Sequence, residues 1–139
     1  MWFYDNKQIE EIPDKAIGFV YCITNIENNK KYIGKKLFHA IKTIQKDKKK
    51  KRTTVESNWK NYFGSNETLK NLVATLGIDN FHREILFICY SKSECSYLEA
   101  KEQFFNDVLL SENYYNDWIS VKITRKHIKR YSDRIKTID

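Results

Sequence analysis

The chain has 139 residues, 41% of them apolar and 14% aromatic, with 25 basic and 18 acidic side chains and a net charge of +7. That length holds one domain around one core, and that apolar content excludes disorder as the default state. The longest apolar run, Ile85-Leu86-Phe87-Ile88-Cys89, is far short of a membrane span, and the N-terminus lacks a signal-peptide pattern. A cytoplasmic protein with no membrane partner is therefore expected.

Residues 1–17 hold one apolar cluster (Trp2, Phe3, Tyr4), a polar stretch and Ile12-Pro13. They read as a strand-like arm or loop. The stretch 18–34 follows as two runs of β-branched and aromatic residues around Asn25-Ile26-Glu27-Asn28-Asn29. Asparagine tolerates the positive φ that a reversal needs, so a β-hairpin is expected. Phe19, Tyr21 and Ile23 share one face of its first strand, and Val20, Cys22 and Thr24 the other. Tyr21 and Tyr32 stand eleven residues apart across this hairpin, and two phenols brought together by a turn read from spacing alone as cross-strand packing.

Positive charge is concentrated next. Residues 30–60 carry net +10 and residues 121–139 net +5, against −3 over 1–29 and −5 over 61–120. The five consecutive cations Lys48 to Arg52 repel one another, and 43–56 reads as a solvated basic loop that orders against a phosphate backbone. A solubilising loop and tail is the plain alternative.

Trp59, Lys60, Tyr62, Gly64 and Ser65 form an aromatic segment whose rings either stack on bases or enter the core. Ser65 is the expected N-cap of a helix with an apolar stripe at Leu69, Leu72, Val73 and Leu76, stopped by Gly77. A third strand, 81–90, is apolar enough to be central and covered on both faces. Ser91 and Glu94 form a capping box opening a helix over 92–109. Its expected stripe is Cys95, Leu98, Phe105 and Leu109, with Glu102 inside it and Glu99 on its flank. Cys22, Cys89 and Cys95 show no metal-ligand spacing and read as small buried thiols. After Asn113-Tyr114-Tyr115-Asn116 the tail has a β-like start (Val121, Ile123) and a basic, helix-compatible end.

Phe19-Val20-Tyr21 and Tyr32-Ile33-Gly34, at their spacing, resemble the signature of the GIY-YIG nuclease family. Trp59, Tyr62, Gly64 and Ser65 resemble the W-x-x-Y-x-G-S segment of a compact, phage-associated branch. Tyr97-Leu98-Glu99-Ala100-Lys101 is similar to the family's hydrophobic-then-glutamate segment, and 113–119 to its terminal aromatic-asparagine motif. The resemblance runs from about residue 18 to 128 and leaves room for one domain, 1–139, without a separate DNA-recognition domain. It implies a small α/β (α+β) fold, a three-stranded antiparallel sheet flanked by helices.

It also implies an endonuclease that hydrolyses DNA with one divalent ion, Mg²⁺ or Mn²⁺, giving a 5′-phosphate and a 3′-hydroxyl. Tyr21 would orient or deprotonate the attacking water, and Tyr32 would hydrogen-bond water or phosphate. Glu99 would hold the metal, with Glu102 the competing carboxylate, and Asn116 would position the group. Where the family commonly has an arginine this chain has Lys42, so Lys36 is the expected cation. Lys35, Lys42, Lys48, Lys49, Lys50, Lys51, Arg52, Lys60 and Arg125 are the expected nucleic-acid contacts, and Arg130 and His127 lie in the same basic tail. DNA is the expected partner and RNA the second. A double-strand cut needs a homodimer or two events. The competing readings are a decayed nucleic-acid-binding module and a protein-interaction domain.

Overall fold

The computed structural model describes residues 1–120, 122 and 124–136. Its centre is a mixed sheet built from β1 (Trp2–Tyr4), β2 (Lys7–Ile9), β3 (Gly18–Asn25), β4 (Lys31–Leu37) and β7 (Phe81–Cys89), in the order β2-β1-β7-β3-β4. The sheet therefore has five strands, not the expected three. The additional pair is the N-terminal arm. Asp5 and Asn6 both take positive φ and turn β1 onto β2, after which β1 joins β7 in parallel. Strand β7 is central, as its apolar run implies.

Both faces of the sheet are covered. Phe19, Tyr21 and Ile23 face Trp2, Trp59 and Leu69 of helix α1 (Glu67–Leu76). Val20 and Ile33 face Cys95 and Leu98 of helix α2 (Lys92–Phe105). The β3–β7 register slips between Val20 and Tyr21, a bulge beside the first tyrosine of the signature. A final helix, α3 (Lys129–Lys136), is tied to α2 where Arg134 pairs with both oxygens of the buried Glu94. The expected β-like residues Val121 and Ile123 lie outside the described residues.

Three local expectations are corrected. Residues expected as a basic loop form a two-stranded ribbon, β5 (His39–Lys46) and β6 (Lys49–Glu56), closed by Asp47 and Lys48, both at positive φ. Its β-branched residues Thr43, Ile44, Thr53, Thr54 and Val55 supply strand preference beneath the charge. The cap of α1 is Asn66, not Ser65: its Oδ1 accepts the Leu69 N–H at 2.9 Å. Helix α2 stops at Phe105, where Asn106 turns its amide back to the Glu102 carbonyl at 2.8 Å and Asp107 takes φ 48°. The expected stripe breaks there: Phe105 and Leu109 are 81% and 49% exposed, while Gln103 and Val108 are buried.

Candidate active site

Strand β4 is an edge strand, and what its outward backbone groups meet defines the site. The Lys31 N–H donates to the Asn113 carbonyl at 2.9 Å, and the Lys31 carbonyl accepts from the Tyr115 N–H at 2.7 Å. Next along the edge, Asn116 stands in for a strand. Its Oδ1 accepts the Ile33 N–H at 3.1 Å and its Nδ2 donates to the Ile33 carbonyl at 2.8 Å. Gln103 of α2 donates to the same carbonyl at 3.0 Å. One step further, the backbone N–H and the charge of Lys35 act on the Glu99 carboxylate and favour its ionised form. An unpaired edge invites another strand, and this one is closed by the backbone of 113–115 and by polar side chains.

Glu99 lies in a cleft of about 350 Å³ lined by Tyr32, Lys35, Ser65, Gln103, Trp118 and Ser120. Burial pushes its carboxyl above the ordinary value, and the Lys35 charge and N–H pull it back. Its charge is felt by Tyr21 and Tyr32. Glu102, the competing carboxylate, looks elsewhere: it accepts from Asn106 at 3.3 Å and its charge acts on Cys22 and Tyr114. The two residues are three apart on one helix, and only Glu99 reaches the tyrosines of the signature.

Those tyrosines have different surroundings. Tyr21 pairs across the hairpin with Gly34 and is buried. Burial, then the neighbouring Tyr62 and Tyr32, and finally Glu99 push its phenol well above the ordinary value. Every one of these acts against the phenolate. Tyr32 is half-buried in the cleft wall with its hydroxyl 3.1 Å from Ser65 Oγ, and burial raises its phenol too. Tyr62 is the third ring of the group, edge-on to Tyr21 at 6.0 Å. Lys36 Nζ stands 4.2 Å from the Tyr62 ring centre, and partial burial lowers its pKa.

Alternation along β4 explains why neighbouring lysines part company. Tyr32, Gly34 and Lys36 share the Tyr21 face, while Lys35 turns toward α2, its Nζ on Ser96. Lys42, Lys48, Lys49, Lys50, Lys51 and Arg52 sit on the ribbon, all exposed, and Lys42 does not line the cleft. Lys60 lies over the Trp59 ring at 5.8 Å. Arg125 lines a separate cavity with Tyr97, Lys101 and Phe104, and His127 accepts the Thr124 N–H as a cap.

Sequence reasoning misses Gln103 and Trp118, gives Ser65 a capping role, and leaves Tyr62 undecided between core and contact. The W-x-x-Y-x-G-S spacing carries a signal for the latter two; a polar residue one turn past Glu99 carries none for Gln103. Trp59 is core, donating its indole N–H to Glu56 at 3.2 Å and accepting from Trp2 at its carbonyl. Arg83, which no sequence signal singled out, is buried between Trp2 and Phe63 and donates to the Tyr62 carbonyl at 2.8 Å. It is scaffold for the tyrosine group.

Among the described residues no cluster of three or more acidic, histidine or cysteine side chains could hold a metal. The cleft offers one carboxylate with hydroxyl neighbours. That set does not fit zinc, which takes three or four protein ligands. It fits a hard cation such as Mg²⁺, which keeps most of its water and binds through one or two carboxylates plus a phosphate.

The family described as "Putative endonuclease segE, GIY-YIG domain" matches residues 2–119. The match takes in the β1–β2 arm, for which sequence reasoning had no role. The curated "Putative endonuclease segE" of Enterobacteria phage T4 is 33% identical over 98 residues, covering 70% of this chain and 39% of that relative, so this chain spans well under half of its length. No solved structure matches the chain. From β1 to the Asn116 clamp, the chain belongs to the GIY-YIG endonuclease family, in its segE-type branch.

Proposed function

We propose that this chain is a divalent-metal-dependent endonuclease that hydrolyses DNA phosphodiester bonds at the Glu99 cleft. The observation that carries the reading is the convergence of one carboxylate with Tyr32, Ser65 and Lys35 in a cleft on β4, the strand that leads into the basic ribbon. Glu99 would hold Mg²⁺ or Mn²⁺, and the bound ion supplies Lewis-acid polarisation of the phosphate and neutralises developing charge.

The protein's own groups then divide the work. The Lys35 charge and N–H favour the ionised form of the Glu99 carboxylate, which lines the cleft. Tyr32 and Ser65 hold a shared hydrogen bond at the cleft wall, so either can orient a water or a phosphate oxygen. Tyr21 acts as a neutral phenol: with burial and every neighbour opposing ionisation, orienting is favoured over the deprotonation also expected of it. Lys36 supplies positive charge on the tyrosine face as a compact point charge. Asn116 and Gln103 act through Ile33, holding β4 so that Tyr32 and the Lys35 N–H keep their places.

DNA is the proposed substrate, since the segE relative is named an endonuclease and the basic ribbon suits a polyanion. A single cleft cuts one strand, so nicking is the expected elementary event. The test is supercoiled plasmid incubated with the protein and Mg²⁺, beside EDTA. Nicked circles that need the metal support the reading. A plasmid bound but uncut with both Mg²⁺ and Mn²⁺ overturns it in favour of a non-catalytic binding module.

A further inference from the structure

Nuclease chemistry leaves β5–β6 without a task. The ribbon is a sheet of its own, with no covering layer, and fifteen of its sixteen strand residues are exposed. An isolated two-stranded ribbon is marginal in water, and like charges placed directly opposite weaken it further. Yet Lys46 faces Lys49 across the ladder, one step from the Asp47-Lys48 turn. Residues 39–56 carry seven basic and two acidic side chains, net +5. An anionic partner relieves that repulsion.

The stem is fixed. Phe38 is buried between Phe19 and Trp59, with ring centres 4.9 and 5.1 Å away. Its N–H donates to the Ile17 carbonyl at 3.0 Å, its carbonyl accepts from Ser57 at 2.8 Å, and Ser57 Oγ donates to the Leu37 carbonyl at 2.7 Å. The ribbon therefore starts one residue past β4 and is anchored at Phe38 to the sheet that carries Tyr32 and Lys36. A ligand seated on it is held in a set relation to the cleft.

Register sorts the side chains onto two faces. Thr43 opposes Arg52 and Gln45 opposes Lys50 on one face. Lys42 opposes Thr53, Ile44 opposes Lys51, and Lys46 opposes Lys49 on the other. The first face gathers the side-chain types that read base edges: arginine and lysine suit guanine, glutamine suits adenine, and threonine suits either. Eight residues per strand give a ribbon about 26 Å long. The major groove of B-DNA, about 12 Å wide, admits a two-stranded ribbon. The deep, narrow major groove of A-form RNA does not.

We propose that β5–β6 enters the major groove of duplex DNA with Thr43, Gln45, Lys50 and Arg52 toward the base edges, and so selects where the neighbouring cleft cuts. The lysines of the opposite face reach round on their long stems to the phosphate walls. The inference rests on the proposed DNA substrate and adds to it a specificity element.

The test is selection of bound duplexes from a randomised pool by the full chain, in EDTA so that nothing is cut. The wild type enriches a short motif, and dimethyl sulfate probing of that motif shows guanine N7 protected. Gln45→Ala with Arg52→Ala removes the enrichment at the read positions by about 10- to 100-fold. Lys46→Gln with Lys49→Gln keeps the motif, weakens binding to every duplex, and lowers the salt slope by about two. Binding by the wild type with no motif, or a motif that survives Gln45→Ala with Arg52→Ala, overturns the proposal. Because the pool is never cut, the two readings fail separately. A motif without cutting sinks the nuclease alone, and cutting without a motif sinks the ribbon alone.

Discussion

The Asn116 side-chain amide takes both backbone groups of Ile33, accepting its N–H at 3.1 Å and donating to its carbonyl at 2.8 Å. One side chain thus replaces a neighbouring strand at the point where β4 passes between Tyr32 and Gly34. Gln103 shares the carbonyl. Gln103→Leu costs about 1 kcal/mol in urea unfolding, because the carbonyl keeps the Asn116 donor, and Asn116→Ala costs more, about 1–3 kcal/mol, because the Ile33 N–H loses its acceptor as well. The double variant leaves that carbonyl without either donor and costs more than the two together. Strict additivity would show that the two amides do not share a task.

Gly34 is required by space. A Cβ there would lie 2.4 Å from the Tyr21 hydroxyl oxygen and 3.0 Å from Cε1 of Tyr32. Tyr21 is walled in by Trp2, Phe19 and Tyr62 and has nowhere to retreat. Gly34→Ala therefore destabilises the fold by about 1–3 kcal/mol. Nicking also falls by more than the loss of folded protein explains, since both signature tyrosines shift. A thermal melt beside an activity measurement separates the two effects, and an unchanged melt contradicts the close approach.

Alkaline pH probes Tyr21. Its phenol is raised in the fold, first by burial and then by Tyr62 and Tyr32. The native state thus holds its proton where the unfolded chain, titrating near 10, gives it up. Stability from this group is complete below about pH 10 and declines as pH climbs toward the folded value. Tyr21→Phe removes the titration, so its stability declines less from about pH 9 to about pH 11. Parallel declines for the two proteins would contradict the burial of an un-ionised hydroxyl.

Lys36 offers a cleaner split between charge and structure. Its ammonium rests on the Tyr62 ring on a half-exposed edge, so truncation costs little stability. Lys36→Met lowers the nicking rate about 100-fold while moving the urea midpoint by less than about 1 kcal/mol of stability. Lys36→Arg retains most of the activity. A Lys36→Met protein that nicks at the wild-type rate would hand the role to Lys35.

What the sequence made legible divides along physical lines. The hairpin carrying Tyr21 and Tyr32 and the central place of β7 are readable because spacing and apolar pattern extend over many residues, whereas Asn116 is legible only through the family resemblance. Strand β1 is three residues long, too short for a period, and its turn is Asp5-Asn6 without glycine. The ribbon was hidden for a related reason. Lysines masked its β-branched residues, and Asp47-Lys48 takes a turn conformation usually signalled by Asn-Gly. Phe105 and Leu109 continued a helical period on paper, but Asn106 and Asp107 end the helix first. Gln103 carries no pattern of its own, because its role is set by the Ile33 carbonyl seventy residues away in the chain.

The proposed mechanism makes cutting depend on Glu99 and not on Glu102. Both glutamates lie on α2, and only Glu99 opens into the cleft with Tyr32 and Ser65. The most direct measurement is Mg²⁺-dependent nicking of supercoiled plasmid by the wild type, Glu99→Gln and Glu102→Gln, each checked for a native melt. Glu99→Gln should lose nicking by at least about 100-fold while still binding the plasmid, and Glu102→Gln should stay within a few-fold of wild type. Full activity in Glu99→Gln, or loss confined to Glu102→Gln, would contradict the account.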